Sequence, residues 1–213
     1  MYDTVLFDLD GTLTDSGPGI MNAVRHSLDQ LDLEVGDEDN LRKFVGPPLE
    51  ESYQVLYGLS GGQVDRALGY YREYYHSMGG VYENAVYPGI RELLAKLRAA
   101  GKRLIISTSK GETGTNKVLE HFALRRYFDF VATANHEDRN TKTEVIRYAL
   151  KECGITDVSG CVMVGDREND ITAARNVGMD SIGALYGYGS LRELQDAGAT
   201  YIAETPADIA KYL

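Results

Sequence analysis

Six short apolar runs, separated by segments with helical periodicity, constrain the fold of this chain more than any other feature of its sequence. They lie at residues 5–7, 104–106, 130–132, 161–164, 181–184 and 201–203. Most of these runs are continuously apolar rather than alternating, which is typical of parallel strands that are buried on both faces. Because helical patterns follow several of them, the sequence predicts an α/β fold built on a doubly wound, mostly parallel sheet.

The segment 17–82 interrupts this alternation, because it contains helical patterns only. Pro18 begins the first of them, and the sequence "SGGQ" at 60–63 has the form of a capping box before another. We therefore predict two domains, an α/β core formed by residues 1–16 and 83–213 and an inserted all-helical domain formed by residues 17–82.

Composition excludes some classes of protein. The chain has 22 Lys and Arg against 32 Asp and Glu, a net charge of −10, which argues against binding to nucleic acid. It has no basic leader before an apolar stretch and no run of about 18 apolar residues, so we expect no contact with membranes and a cytoplasmic location. Cys153 and Cys161 lack metal-site spacing and are interpreted as core residues in a reducing compartment.

Polar side chains follow three of the predicted strands at the point where each strand ends. Asp8 and Asp10 follow the first, the sequence "STSK" at 107–110 completes the second, and Asp166 and Asp170 follow the run 161–164. Because ligands of open α/β sheets bind at the carboxyl ends of the strands, we expect these groups to form one site.

A lysine is expected at the same edge. Thr141 and Glu144 have capping-box spacing, which places Lys142 in the first turn of a helix. A cation there opposes the helix dipole, which suggests that Lys142 is kept for an anionic partner.

Four motifs, "DLDGTLTDS", "STSK", "TKTEVI" and "VGDRENDI", together resemble the haloacid dehalogenase superfamily, in the phosphatase branch that includes phosphoglycolate phosphatases. The resemblance covers essentially the whole chain, and the insert 17–82 is similar to the helical cap of that branch. It implies a Rossmann-like core, bound Mg²⁺ and phosphoryl transfer through an aspartyl-phosphate.

The residues fit that chemistry. A carboxylate can attack phosphorus and divide a difficult hydrolysis into two steps, so we predict that Asp8 is the nucleophile. We predict that Asp10 is the general acid and base. Thr108, Ser109 and Lys142 are predicted to bind the phosphoryl group, and Thr108 and Lys142 to stabilise its developing charge.

Mg²⁺ prefers a few oxygen ligands and keeps several waters. We predict that Asp8, the backbone carbonyl of Asp10 and Asp166 coordinate it, with Asp170 as a direct ligand or as an acceptor beside the metal. The cation, together with Lys142, would explain how the sequence tolerates two acidic residues so close together.

Small phosphorylated metabolites are the predicted substrates of a phosphoglycolate phosphatase-like enzyme, with 5'-nucleotidase or pyrophosphatase activity as the alternative. We expect a monomer or weak homodimer, in which the insert acts as a lid. Arg42 and Lys43 are predicted to bind a second anionic group, although two solvated cations at a helix end would look the same.

Other classes remain open at this stage. A phosphosugar mutase would share the aspartyl-phosphate, and a phosphonate hydrolase could use Lys43 for a Schiff base. A dehalogenase would not need Asp10 as an acid, because halide leaves without a proton. A binding module without activity would leave the set of polar residues unexplained.

Overall fold

The computed structural model describes residues 2–135 and 137–213 and divides the chain into two compact units. The first unit comprises Met1–Asp15 and Val86–Leu213, and the second comprises Ser16–Ala85.

A six-stranded sheet forms the centre of the first unit. Its strands are β1 (Thr4–Phe7), β4 (Arg103–Gly111), β5 (Phe130–Ala134), β6 (Cys161–Gly165), β7 (Asp180–Ala184) and β8 (Tyr201–Ala203). They lie in the order β5-β4-β1-β6-β7-β8, and each described ladder is parallel. The predicted α/β fold with a mostly parallel sheet is therefore confirmed. A further pair of two-residue strands, β2 (Thr14–Asp15) and β3 (Ala85–Val86), was not predicted.

Strand β1 occupies the middle of the sheet, where Phe7 pairs with Ile106 of β4 on one side and with Val164 of β6 on the other. All four residues of β1 are buried. An apolar strand with neighbours on both sides needs no polar face, which is why its sequence is continuously hydrophobic.

Helices cover the sheet. In the first unit they are α5 (Ile90–Ala99), α6 (Glu112–His121), α7 (Lys142–Glu152), α8 (Glu168–Asn176), α9 (Leu191–Ala197) and α10 (Pro206–Ile209). One core cluster joins Val145 and Ile146 of α7 to Leu6 and Ile105 of the sheet. This packing fixes the beginning of α7 at the carboxyl end of the strands.

The second unit is helical. It contains α1 (Gly17–Asp29), α2 (Glu38–Arg42), α3 (Leu49–Tyr57), α4 (Gly62–Arg72), a π-helical turn (Glu73–Ser77) and a 3₁₀ turn (Gly80–Tyr82). The capping box predicted at 60–63 is only half formed: Ser60 N donates to Gln63 Oε1 at 3.4 Å, but Gly61 is the N-cap and no side chain caps α4. No helix in the described part of the chain is long and apolar enough to cross a membrane.

Candidate active site

Asp8 and Asp10 leave the end of β1 in a tight turn. Their side chains are largely buried, with 4% and 7% of each residue exposed. Gly11 follows with a φ of +82°, a conformation that favours glycine, and a Cβ at this position would lie 2.2 Å from Asp166 Oδ2. The glycine therefore lets the turn approach the carboxylate that follows β6.

Lys142 lies between two of the predicted carboxylates. Its Nζ is 2.6 Å from Asp8 Oδ1 and 2.8 Å from Asp170 Oδ1, and its side chain is 4% exposed. The predicted capping box of Thr141 and Glu144 is present at the start of α7. The local sequence therefore puts the lysine in the first turn, from which it reaches both carboxylates.

Asp8, Asp166 and Asp170 form a buried acidic group. One carboxylate oxygen from each lies within 4.8 Å of the others, an arrangement that could hold a metal ion. Three carboxylates with a single lysine leave an excess of negative charge, and hard oxygen donors fit a hard divalent cation. The carboxylate of Asp10 is not a member of this group, which is compatible with the backbone role predicted for Asp10.

Burial affects the pKa values of Asp8, Asp166 and Lys142. Loss of water raises the pKa of Asp8 to about 6, with Asp170 adding to the rise and Lys142 opposing it. Burial, and then the charges of Asp170 and Asp8, also raise the pKa of Asp166 well above its usual range. For Lys142, burial opposes the charged form, but Asp170 and Asp8 outweigh it and raise the pKa.

The loop after β7 supports Asp166, a contact that the sequence did not predict. Asp166 Oδ1 accepts from Thr12 Oγ1 at 3.1 Å, and Oδ2 accepts from the backbone N of Tyr188 at 2.9 Å. Tyr186 donates its hydroxyl to the carbonyl of Thr12 at 2.8 Å. A Cβ on Gly187 would lie 2.4 Å from the Cβ of Asp166, so this loop must pass close to the carboxylate.

Thr108 lies near the end of β4 and is 1% exposed. Its Oγ1 accepts from the backbone N of Lys110 at 3.2 Å, which leaves the hydroxyl hydrogen available to a ligand. Ser109 is half-buried. The roles of Thr108 and Ser109 in phosphoryl binding stay predictions.

Lys110 is the residue that the sequence placed at this edge without giving it a role. Its Nζ lies 3.0 Å from Asp10 Oδ2 and 3.2 Å from Oδ1. Its position two residues after Thr108, in the polar segment that follows the apolar run 104–106, was the available signal.

Arg42 and Lys43 belong to the second unit, at the end of α2, and both are exposed. Lys43 Nζ donates to Asn40 Oδ1 at 2.9 Å. Their role as substrate contacts stays a prediction.

Comparison with known proteins identifies a family to which the chain is similar. The model of the haloacid dehalogenase-like hydrolase family matches residues 5–184. A protein of Pseudomonas aeruginosa named 5'-nucleotidase is 37% identical over 98% of this chain and 93% of its own length. The tyrosine-protein kinase PtkA of Mycobacterium tuberculosis is 36% identical over 93% of this chain and 67% of its own length. A phosphoglycolate phosphatase of Colwellia psychrerythraea is 30% identical over 95% of this chain and 93% of its own length.

A solved structure agrees with the fold. A crystal structure from Clostridium acetobutylicum, described as that of a predicted phosphatase, is 42% identical and superposes with a TM-score of 0.94 over 100% of this chain and 98% of the other.

Proposed function

The chain belongs to the haloacid dehalogenase-like hydrolases, and on that premise we propose that it is a Mg²⁺-dependent phosphatase that hydrolyses small phosphomonoesters through an aspartyl-phosphate on Asp8. The observation that carries the proposal is the buried lysine, Lys142, between Asp8 and Asp170, with Asp166 close to both. A carboxylate fixed beside a cation is suited to attack an anionic phosphorus centre.

Asp8 attacks phosphorus in the first step, and the bond from phosphorus to the leaving oxygen breaks. Asp10 gives its proton to that oxygen, so the alcohol leaves neutral. In the second step water attacks the phosphorus of the acyl phosphate, Asp10 takes a proton from the water, and inorganic phosphate leaves with Asp8 free again. Lys142, Thr108 and Ser109 hold the phosphoryl oxygens throughout.

The proposed ligands of Mg²⁺ are Asp8, the backbone carbonyl of Asp10 and Asp166, with Asp170 as a further direct ligand or as an acceptor beside the metal. When bound, Mg²⁺ would offset the repulsion between carboxylates and phosphate and polarise the phosphoryl oxygens. Lys142 supplies part of that compensation from the protein itself, because it contacts both Asp8 and Asp170.

Small anionic phosphomonoesters are the proposed substrates. The similarity to a 5'-nucleotidase and to a phosphoglycolate phosphatase supports nucleoside 5'-monophosphates and 2-phosphoglycolate as the first compounds to test. Pyrophosphate is a further alternative, and a phosphosugar mutase or phosphonate hydrolase a more distant one. We propose that Arg42 and Lys43 contact a second anionic group of the substrate.

A phosphate-release screen tests the function directly. We expect the purified protein to release phosphate from one or more of these esters with Mg²⁺, to lose activity with EDTA and to regain it when Mg²⁺ is restored. Asp8→Asn should abolish both turnover and the hydroxylamine-labile phosphoenzyme that rapid acid quench detects, because an amide cannot act as this nucleophile.

Two outcomes would contradict the proposal. An Asp8→Asn enzyme that retains more than about a thousandth of the wild-type rate would exclude covalent catalysis by Asp8. Transfer of the γ-phosphate of ATP to a tyrosine peptide, without phosphate release from any ester, would instead indicate a kinase such as the relative PtkA is named for.

A further inference from the structure

Lys110 contacts Asp10 through both carboxylate oxygens, at 3.2 and 3.0 Å from its Nζ. The two side chains are 9% and 10% exposed. By contrast, the side chains of the surface pair Arg192–Asp196 are 91% and 72% exposed. Exposed pairs contribute little because water and salt screen them, whereas a pair withdrawn from water restricts both partners. Lys110 therefore limits the orientations that the Asp10 carboxylate can adopt.

A register irregularity in β4 directs Lys110 towards Asp10. The ladder between β4 and β5 pairs at Thr108 and next at Gly111, while β5 advances by a single residue. Ser109 and Lys110 are thus two extra residues in β4. Bulges of this kind redirect side chains and occur often beside active sites.

Hydroxyl groups hold the backbone of the irregular segment. The N–H of Lys110 donates to Thr108 Oγ1 at 3.2 Å. The hydroxyl of Thr115, a fully buried residue of α6, donates to the carbonyl of Gly111 at 3.1 Å and lies 3.5 Å from that of Lys110. The backbone at Lys110 is therefore held by hydroxyl groups on both sides and does not depend on Asp10 for its position.

We propose that Lys110 is a positioning residue for Asp10. Its ammonium group holds the Asp10 carboxyl group in the orientation from which it passes a proton to the leaving oxygen and later takes one from the attacking water. Lys110 itself neither gains nor loses a proton in either step. This inference rests on the proposed phosphatase function, in which Asp10 is the general acid and base.

A residue that acts through Asp10 and one that only balances charge give different kinetics. A positioning residue has its largest effect on a step in which Asp10 transfers a proton. Its loss should therefore slow the hydrolysis of an alkyl phosphomonoester more than that of p-nitrophenyl phosphate, whose leaving group needs no proton. The same loss should cost little once Asp10 can no longer transfer a proton. A purely structural cation would slow both esters equally, with or without Asp10.

The experiment is a double-mutant cycle of Lys110→Met and Asp10→Asn, with kcat/KM measured for both esters at saturating Mg²⁺. We expect Lys110→Met to lower kcat/KM for the alkyl ester roughly tenfold to 100-fold, and that for p-nitrophenyl phosphate clearly less. In the Asp10→Asn background, Lys110→Met should change either value less than about twofold. The matched control is Lys151→Met, which removes an exposed lysine from α7 and should leave both values unchanged.

Equal losses for the two esters, or the same loss in the Asp10→Asn background, would overturn the proposal. Thermal unfolding of each variant shows whether it folds, and Lys110→Gln enters the same cycle if Lys110→Met does not. A wild-type protein that releases no phosphate and forms no phosphoenzyme would refute the proposed function itself. An active wild type with an additive cycle would refute only the role of Lys110.

Discussion

Asp8 is a carboxylate held almost out of water, and this burial costs stability. Its pKa is raised to about 6, mainly by burial, so at neutral pH the folded protein keeps a charge that the unfolded chain solvates freely. A shift of this size corresponds to free energy on the order of 1–3 kcal/mol. This net value already includes the favourable effect of Lys142, and a bound cation would lower the cost further.

Asp8→Asn should therefore stabilise the metal-free protein. The amide removes a buried negative charge, and Lys142 keeps Asp170 as a partner at 2.8 Å, so no buried cation is left unpaired. We expect the free energy of unfolding in EDTA at pH 7.5 to rise by about 1–3 kcal/mol. With saturating Mg²⁺ the order should reverse, because the wild type gains a ligand contact that the variant lacks. Thermal unfolding under both conditions measures this.

The raised pKa of Asp8 also predicts how the stability of the metal-free protein changes with pH. Between the usual carboxylate value near 3.8 and about 6, the folded state of the wild type holds the Asp8 proton more tightly than the unfolded state does. The contribution of Asp8 to stability therefore falls as the pH rises through this range and is constant above it. In EDTA, the difference between Asp8→Asn and wild type should grow from pH 4 to pH 6. The exposed Asp65→Asn should show no such growth, and a difference independent of pH would contradict the argument.

At the scale of the structural element, the loop between β7 and α9 acts as a support for the end of β6. It donates the backbone N–H of Tyr188 to Asp166, and it passes so close that only glycine fits at position 187. The chain thus places the carboxylate by means of an element that follows it in sequence and contributes no proposed ligand itself.

Gly187→Ala should weaken metal binding. The new Cβ would lie 2.4 Å from both the Cβ of Asp166 and the carbonyl oxygen of Gly11, so one of them must move. Loss of support for a metal ligand typically costs about 10- to 100-fold in affinity. We expect the Mg²⁺ concentration for half-maximal thermal stabilisation to rise by that factor. Gly160→Ala is the control, since its Cβ would meet nothing within 4 Å. An unchanged midpoint would contradict the inference that this loop supports Asp166 in metal binding.

Local patterns predicted some elements well. The capping box at Thr141 and Glu144 formed because both side chains complete their bonds at a helix end packed on the core. At Ser60 the same spacing gave only one of the two bonds, because the chain enters α4 through Gly61 at a φ of +51°. Neither outcome is encoded in the spacing alone.

Contacts between segments that are distant in sequence limit what the sequence alone can predict. The six strands and the edge of the sheet with Asp8, Lys142, Asp166 and Asp170 followed from apolar runs and the rule for parallel sheets. The register irregularity that turns Lys110 towards Asp10 did not, because it depends on how β4 pairs with β5. The hydrogen bond from Tyr188 to Asp166 joins residues that no local pattern connects.

At the scale of the whole molecule, the proposed role of Arg42 and Lys43 in binding a second anionic group of the substrate can be tested by kinetics. Replacing Arg42 and Lys43 by Ala should raise KM for anionic phosphomonoesters several-fold and leave p-nitrophenyl phosphate almost unchanged, because that compound has no second anionic group. Steady-state kinetics on both substrates measure this, with Arg66→Ala, an exposed cation of the same unit, as the control. An equal rise for both substrates would count against the proposed contact.

The central position of β1 has a consequence for how the protein is made. The ribosome delivers β1 before both of its neighbours in the sheet, which begin only at Arg103 and Cys161. Meanwhile the continuous segment Ser16–Ala85 has its own internal packing and can fold as it emerges, since domains generally fold as units during synthesis. The nascent chain therefore carries Asp8 long before it can act as an enzyme, because the sheet on both sides of β1 cannot form until β6 has left the exit tunnel.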